Sequence, residues 1–246
     1  MKVKTGFWAR LLGVTPFTEV EVSEHGWTLV DWGGERRINH PHIASILHRA
    51  GFFWDRLSLE GHSPSPPFEV PGLAKESARR LLIAHVALRH GRVIRAAARD
   101  FHRMWNADSY FNRQALDVWR IRHAPVLKTA AMSFDGVSMP AGLVKAIQDC
   151  RRFDQEGESI RCARNEEYVA REQAANAAWF AGSLGYPLTI GQWQAILHDE
   201  DNNLVVAGAG TGKTSTVVGK VGYVLRKGWA KPSEILLLAF TKKAAS

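Results

Sequence analysis

Asn203-Leu-Val-Val-Ala-Gly-Ala-Gly-Thr-Gly-Lys-Thr214 passes from a short apolar run straight into a glycine-rich turn that ends in Lys213-Thr214. Leu204, Val205 and Val206 have the short, partly β-branched character of a strand buried on both faces. Gly208, Gly210 and Gly212 then let the backbone turn tightly with its N–H groups pointing inward, the arrangement that wraps phosphate. Lys213 supplies a mobile cation for the terminal phosphates, and Thr214 a hydroxyl for Mg²⁺. Residues 215–226 read as a helix whose positive end faces the anion. The regular phosphate-loop pattern has glycine where this chain has Ala207. Against the bland reading, a glycine-rich turn without a ligand, stands the strand–loop–helix context that such a cradle requires.

Working outward, 246 residues with 46% hydrophobic composition suffice for a buried core, and the length predicts more than one domain. Lys and Arg outnumber Asp and Glu by 32 to 24, so the formal charge is +8, a balance that favours polyanionic partners. Cys150 and Cys162, the two cysteines, exclude a disulfide framework and are expected to be buried free thiols. No apolar run approaches the ~18 residues of a spanning helix, and Arg10 interrupts the N-terminal apolar stretch, so neither a membrane span nor a signal peptide is expected. The expected location is cytoplasmic.

From Phe17 to about Val70, alternating segments punctuated by Gly33-Gly34 and by Pro64 to Pro67 predict five or six strands in a sandwich or open barrel. Trp27, Trp32, Phe53 and Trp54 are either the aromatic filling of a small core or a platform for stacking bases, with core packing the better account. After Gly72 one long helix is predicted, with Leu82, Val86, Ile94, Ala97, Phe101 and Met104 as its apolar stripe. Arg89, Arg92, Arg95, Arg99 and Arg103 recur at three or four residues along it, either a phosphate-contact strip or a solvated face. Further helices are expected from a Ser109 cap to His123, from Met139 to Phe153 and from Glu158 to Phe180. The ten histidines are scattered, and His40-Pro-His42 lacks the company of a zinc site.

Before the cradle lies Leu188-Thr-Ile-Gly-Gln-Trp-Gln-Ala-Ile196, and after it Ile235-Leu-Leu-Leu-Ala-Phe240 runs into Thr241-Lys-Lys. In order and spacing these segments resemble the start of a superfamily 1 helicase of the UvrD/Rep type, in which alanine is common at the position of Ala207. That resemblance implies ATP and Mg²⁺ as cofactors. It assigns Gln192 to the adenine edge, Ala207, Gly208, Ala209, Gly210, Thr211, Gly212 and Ser215 to the phosphate loop, Lys213 to the transferred phosphoryl group and Thr214 to the metal. Phe240, Thr241 and Lys242 would lie along single-stranded DNA. Trp193 and Lys242 depart from the residues common there, Arg and Asn. A β-rich unit, a helix and a helical connector ahead of the glutamine segment, with Asn165-Glu-Glu-Tyr168, are similar to the helicase IV group.

The resulting expectation is an α+β domain over 1–105, pleckstrin-homology-like by that resemblance, a helical connector over 106–184, and the start of an α/β RecA-like ATP-binding domain over 185–246. No later Asp-Glu motif, arginine finger or second motor domain follows the loop in the chain, so it is expected to be the N-terminal part of a longer DNA helicase of repair or recombination. On that expectation it binds nucleotide but hydrolyses it poorly alone. Expected partners are single-stranded DNA or DNA junctions, and a repair or replication protein docked on the β-rich domain. The alternative is a nucleic-acid-binding or protein-docking module with a vestigial nucleotide loop.

Overall fold

Alternation of apolar and polar residues builds the N-terminal region. Val20 and Val22 are fully buried while Glu19 and Glu21 between them are not, so β2 (Phe17–Val22) lays one face on a core. A computed structural model describes residues 1–62, 66–185 and 187–238. It divides into two compact units, Met1–His102 with Trp119–Gln155, and Arg103–Val118 with Glu156–Ser246.

In the first unit, β1 (Lys2–Lys4), β2, β3 (Gly26–Asp31) and β4 (Gly34–Asn39) form an antiparallel sheet in sequence order. A short helix α1 (Phe7–Leu11) lies between the first two strands. Val20 faces Leu29 and Val22 faces Trp27, and all four are fully buried. Asp31 pairs with Gly34, leaving Trp32 and Gly33 as the hairpin tip; the Gly33 N–H donates to Asp31 Oδ1 at 2.7 Å. Trp32 therefore stands 86% exposed.

β5 (Ile43–Arg49), β6 (Asp55–Gly61) and β7 (Phe68–Leu73) form a second antiparallel sheet. The segment Phe17 to Val70 thus carries six strands, arranged as parts of a four-stranded and a three-stranded sheet. Of the aromatic group singled out in the sequence, Trp27 is core, whereas Trp32 and Phe53 are exposed.

The helix predicted after Gly72 is two helices, α2 (Lys75–Arg89) and α3 (Gly91–Asn106). The join falls at His90-Gly91, where glycine weakens helical continuity by about 1 kcal/mol relative to alanine. α4 (Arg113–Ala130) starts three residues later than the sequence suggests, because Asn112 and not Ser109 caps it, its Oδ1 accepting from Ala115 N at 2.9 Å. The two helices expected around residues 154–157 are one, α5 (Ala141–Leu184). Within the first unit Phe101 stacks on Phe153 with centroids 3.8 Å apart and meets Trp119 edge-on, and the Trp119 indole N–H donates to Ala97 O. Cys150 is buried there and its thiol is pushed up to about 12 by burial; Cys162 is exposed, contrary to the expectation of two buried thiols.

A histidine pair crosses this core. Trp27 Nε1 donates to His85 Nδ1 at 3.0 Å, His40 Nδ1 approaches the same atom at 3.1 Å, and His40 Nε2 meets the Ser23 carbonyl at 2.7 Å. A neutral His40 carries one proton too few for both of its contacts. Burial, reinforced by His40 and Arg89, lowers His85 to about 3. Below pH ~6.5 the unfolded chain therefore takes up a proton on His85 that the native state refuses. Native stability should fall by roughly 2 kcal/mol between pH 7 and pH 5 from this group. His85→Gln, which keeps an acceptor for Trp27, should remove that increment, read as the difference in urea-unfolding free energy at the two pH values.

Candidate nucleotide-phosphate site

The second unit is built around α6 (Ile190–Leu197) and α7 (Lys213–Arg226), joined by the glycine-rich loop. Thr189 caps α6 with a reciprocal box: Gln192 N donates to Thr189 Oγ1 at 3.3 Å, and Thr189 N to Gln192 Oε1 at 2.9 Å. The remaining side of the same amide turns to the loop, Gln192 Nε2 donating to Thr211 O at 3.4 Å. Trp193, one position on, points the other way into a core of Phe180, Ile196, Leu197 and Tyr223, its ring edge-on to Phe180 at 4.9 Å. The residue that departs from the common pattern is a packing residue.

Loop geometry follows from its glycines. Gly210 and Gly212 have φ of +75° and +83°, in the left-handed region where a side chain is strained. A Cβ on Gly212 would lie 2.5 Å from Gln192 Nε2. Thr211 Oγ1 donates back to Gly208 O at 2.8 Å, closing the turn. α7 opens directly from Gly212, and its first helical bond runs from Thr216 N to Gly212 O at 2.9 Å. The amides of Lys213 and Thr214 accordingly lie ahead of the helical ladder at the positive end of the helix. Lys213 Nζ donates to the carbonyls of Gly208 at 2.7 Å and Ala207 at 3.2 Å. Those carbonyl oxygens hold the ammonium where phosphate oxygens would, so the donor set of amides plus one cation fits a polyphosphate.

Close packing seats this helix. A Cβ on Gly219 would fall 2.7 Å from Ile196 Cδ1, so glycine allows α6 and α7 to approach. On the flank toward α5, a buried hydrogen-bond chain runs through Tyr168, Tyr223 and Glu172. The Tyr168 and Tyr223 hydroxyls are 3.1 Å apart, and Tyr223 donates to Glu172 Oε2 at 2.8 Å. Lys227 Nζ donates to Glu172 Oε1 at 3.0 Å, and Asn176 bridges Glu172 to Arg226. Although burial opposes ionisation, the hydrogen bonds from Tyr223 and Lys227 hold the Glu172 carboxyl below its usual value. Glu200, three residues before Asn203, is likewise fixed by Tyr110, the Arg113 amide and Arg161.

The strand expected at Leu204, Val205 and Val206 does not form among the described residues. The segment has no paired neighbour among the described residues, and Leu204 and Val206 are about nine-tenths exposed. Leu236, Leu237 and Leu238 are likewise unpaired among the described residues and exposed. A strand buried on both faces needs hydrogen-bonded neighbours and covered faces, and here Val205 and Leu237 share with Val217 and Val221 of α7 the lining of a cavity of about 320 Å³. Phe240, Thr241 and Lys242 lie outside the described residues. Thr214 and Ser215 sit in the first turn of α7 as expected. The arginine series is not one free strip: Arg89 donates to Ile43 O, Arg95 pairs with Glu24, and Arg92 and Arg99 are exposed. Among the described residues no cluster of three His, Cys, Asp or Glu could hold a metal, and no helix is long and apolar enough to cross a membrane.

The family model for the UvrD/REP helicase N-terminal domain matches residues 188–246. The chain resembles UvrD/Rep-type DNA helicases. It is 27% identical to DNA helicase IV of Escherichia coli over 249 aligned residues, covering 86% of this chain and 36% of that protein. A probable DNA helicase II homolog of Mycoplasma genitalium is 46% identical over 54 residues, 22% of this chain and 8% of that protein. ATP-dependent DNA helicase UvrD1 of Mycobacterium tuberculosis is 38% identical over 55 residues, 22% and 7% of the two chains. The chain thus spans about a third of the length of helicase IV and less than a tenth of the other two. No solved structure matches.

Sequence reasoning found the loop and Gln192 but overlooked Thr189, although Thr189-x-x-Gln192 is a readable capping box. It placed Tyr168 in the connector and gave no sign of its link to Tyr223. Tyr223→Phe leaves Tyr168 and Glu172 each one partner short in a buried site. It should cost about 1–3 kcal/mol in chemical unfolding, and more than Tyr110→Phe, whose partner Glu200 keeps Arg161 and the Arg113 amide.

Proposed function

We propose that the chain is the N-terminal part of an ATP-dependent DNA helicase of the helicase IV type, whose 246 residues supply the first half of the ATP site and a DNA- or partner-binding front end. The observation that carries this reading is that the side chains of Gln192, from α6, and Lys213, from the start of α7, both bond to one glycine-rich loop at a helix N-terminus. ATP would lay its phosphates on the amides of residues 208–215 with Lys213 exchanging its two carbonyls for phosphate oxygens. Thr214 would offer its hydroxyl to Mg²⁺, which neutralises charge on the phosphates when bound. Gln192 fits the adenine edge on hydrogen-bond arithmetic. Its carboxamide has two lone pairs and two N–H groups, of which the capping box and Thr211 use one each, and the remaining pair matches adenine N6–H and N7.

A four-stranded and a three-stranded antiparallel sheet followed by a helix support a pleckstrin-homology-like reading of the front domain. On this reading the domains are a front domain over 1–105, a helical connector over 106–184 and a RecA-like start over 185–246. Phe240, Thr241 and Lys242 would contact single-stranded DNA, with duplex opening in DNA repair or recombination as the task of the full-length protein. A repair or replication protein is the partner proposed for the front domain.

Titration with a fluorescent ATP analogue and Mg²⁺ tests the reading. Lys213→Ala should weaken binding at least about tenfold, since it removes the one mobile cation of the cradle. Gln192→Ala should erase a preference for ATP over GTP of roughly 5- to 100-fold while leaving triphosphate binding intact. An ATP affinity indifferent to Lys213 overturns the proposal.

A further inference from the structure

The first unit ends in aromatic rings that its own core does not use. Phe52 and Phe53 are 89% and 72% exposed in the loop between β5 and β6, and Phe7 and Trp8 of α1 are 64% and 63% exposed. Rings of this size seldom stand so far into solvent without a partner.

The loop that carries the first pair is a built feature. Asp55, 2% exposed, closes its base: His48 Nε2 lies 2.6 Å from Asp55 Oδ2, and the Gly51 N–H donates to Asp55 Oδ1 at 3.2 Å. Gly51 approaches so closely that a Cβ there would fall 2.0 Å from the Trp54 carbonyl oxygen. Phe52 and Phe53 meet edge-on with centroids 4.8 Å apart, and Phe53 reaches Trp54 at 5.8 Å. The Trp54 indole in turn lies against Gly6, where a Cβ would be 3.1 Å from its Nε1. Gly6 leads directly into Phe7, which is edge-on to Trp8 at 5.6 Å. Two ring groups, Phe52-Phe53-Trp54 of the β5–β6 loop and Phe7-Trp8 of α1, therefore meet through the contact of Trp54 with Gly6.

The neighbouring chain is richer in cations than in acids. Residues 1–14 contain Lys2, Lys4 and Arg10 and no acid, and residues 47–54 contain Arg49, followed by the buried Asp55 that pairs with His48. Lys2 is paired with Glu19, which also lies opposite Lys4 in the β1–β2 register, and Lys4 and Arg49 are exposed. Open ring faces flanked by positive charge complement a chain of bases on a phosphodiester backbone. A lipid surface would be met by a longer amphipathic helix than the five residues of α1.

We propose that Phe7, Trp8, Phe52 and Phe53, with Lys4 and Arg49 beside them, form a stacking site for single-stranded DNA on the N-terminal unit. The choice of DNA as the polyanion rests on the helicase reading above, whereas the stacking geometry does not. The site shares no residue with the phosphate loop or with positions 240–242, and it has no use for base identity, since every base offers a ring face.

Anisotropy of fluorescein-labelled oligothymidylate titrated with the 246-residue chain tests this. Phe52→Ala/Phe53→Ala and Phe7→Ala/Trp8→Ala should each weaken binding about tenfold or more. Phe52→Tyr/Phe53→Tyr should restore it, and Arg49→Gln should lower the salt slope by roughly 0.7. Melting midpoints and binding of the fluorescent ATP analogue should stay unchanged in the alanine pairs, because the rings are exposed and remote in sequence from the loop. Oligothymidylate binding indifferent to both alanine pairs in folded protein overturns the site and leaves the nucleotide reading standing. Loss of binding to phosphatidylglycerol vesicles alone in those variants overturns it in favour of lipid. Ring-dependent DNA binding by a chain that ignores ATP would uphold the site while removing the helicase reading.

Discussion

The Glu172 carboxylate, buried on α5 and held by Tyr223 of α7 and by Lys227 just beyond its end, is the constraint on which the placement of the glycine-rich loop depends. A helix that presents its N-terminus to an anion must not rock, because the amides ahead of its ladder are useful only in a fixed direction. Apolar contact through Phe180, Ile196 and Tyr223 supplies adhesion but little direction. The hydrogen bonds supply direction. A carboxylate only accepts, so Tyr223 must donate to it, and Tyr168 must then donate to Tyr223. One ionised group thereby fixes two hydroxyl rotors and the C-terminal half of α7. The same arrangement places Lys227 and Arg226, cations of the helix C-terminus, where they also oppose the negative end of the helix dipole.

The glycine-rich turn was legible because its geometry is local. Glycines at 210 and 212 adopt the positive φ that such a turn demands. The approach of Gln192 to the turn was legible from its spacing. What escaped was whatever depends on residues far apart. The Tyr168–Tyr223 contact joins positions 55 residues apart, and nothing in either segment announces it. The helix break at His90 and the continuity of α5 through Gly157 show why boundaries fail. The same residue type ends one helix and is carried inside another, and packing settles the difference of about 1 kcal/mol.

The aromatic residues divide along the same line. Trp27 sits mid-strand on the buried face opposite Val22, whereas Trp32 occupies a hairpin tip that no face of the sheet can cover. Alternation predicts the first; turn placement, visible only once the Asp31–Gly34 register is known, decides the second. The unpaired segments at 204–206 and 236–238 are a case of correct composition with a different outcome. Their apolar residues do lie near α7 through Val205 and Leu237, but pairing requires neighbours that the described residues do not supply.

Gln192 and Trp193 show how adjacent positions on one short helix divide these tasks. A helix turns about 100° per residue, so successive side chains cannot share a face. Gln192 is turned to the loop and Trp193 to the core, where it meets Phe180 edge-on. An arginine at position 193 would reach solvent or phosphate from the end of a long side chain. A tryptophan instead ties α6 to α5 by burial. The cap formed with Thr189 uses one lone pair of the Gln192 amide and the Thr211 carbonyl one of its N–H groups, so the side chain is held from both sides. Packing at 193 and capping at 189 are therefore the means by which a single glutamine is preorganised beside the phosphate loop.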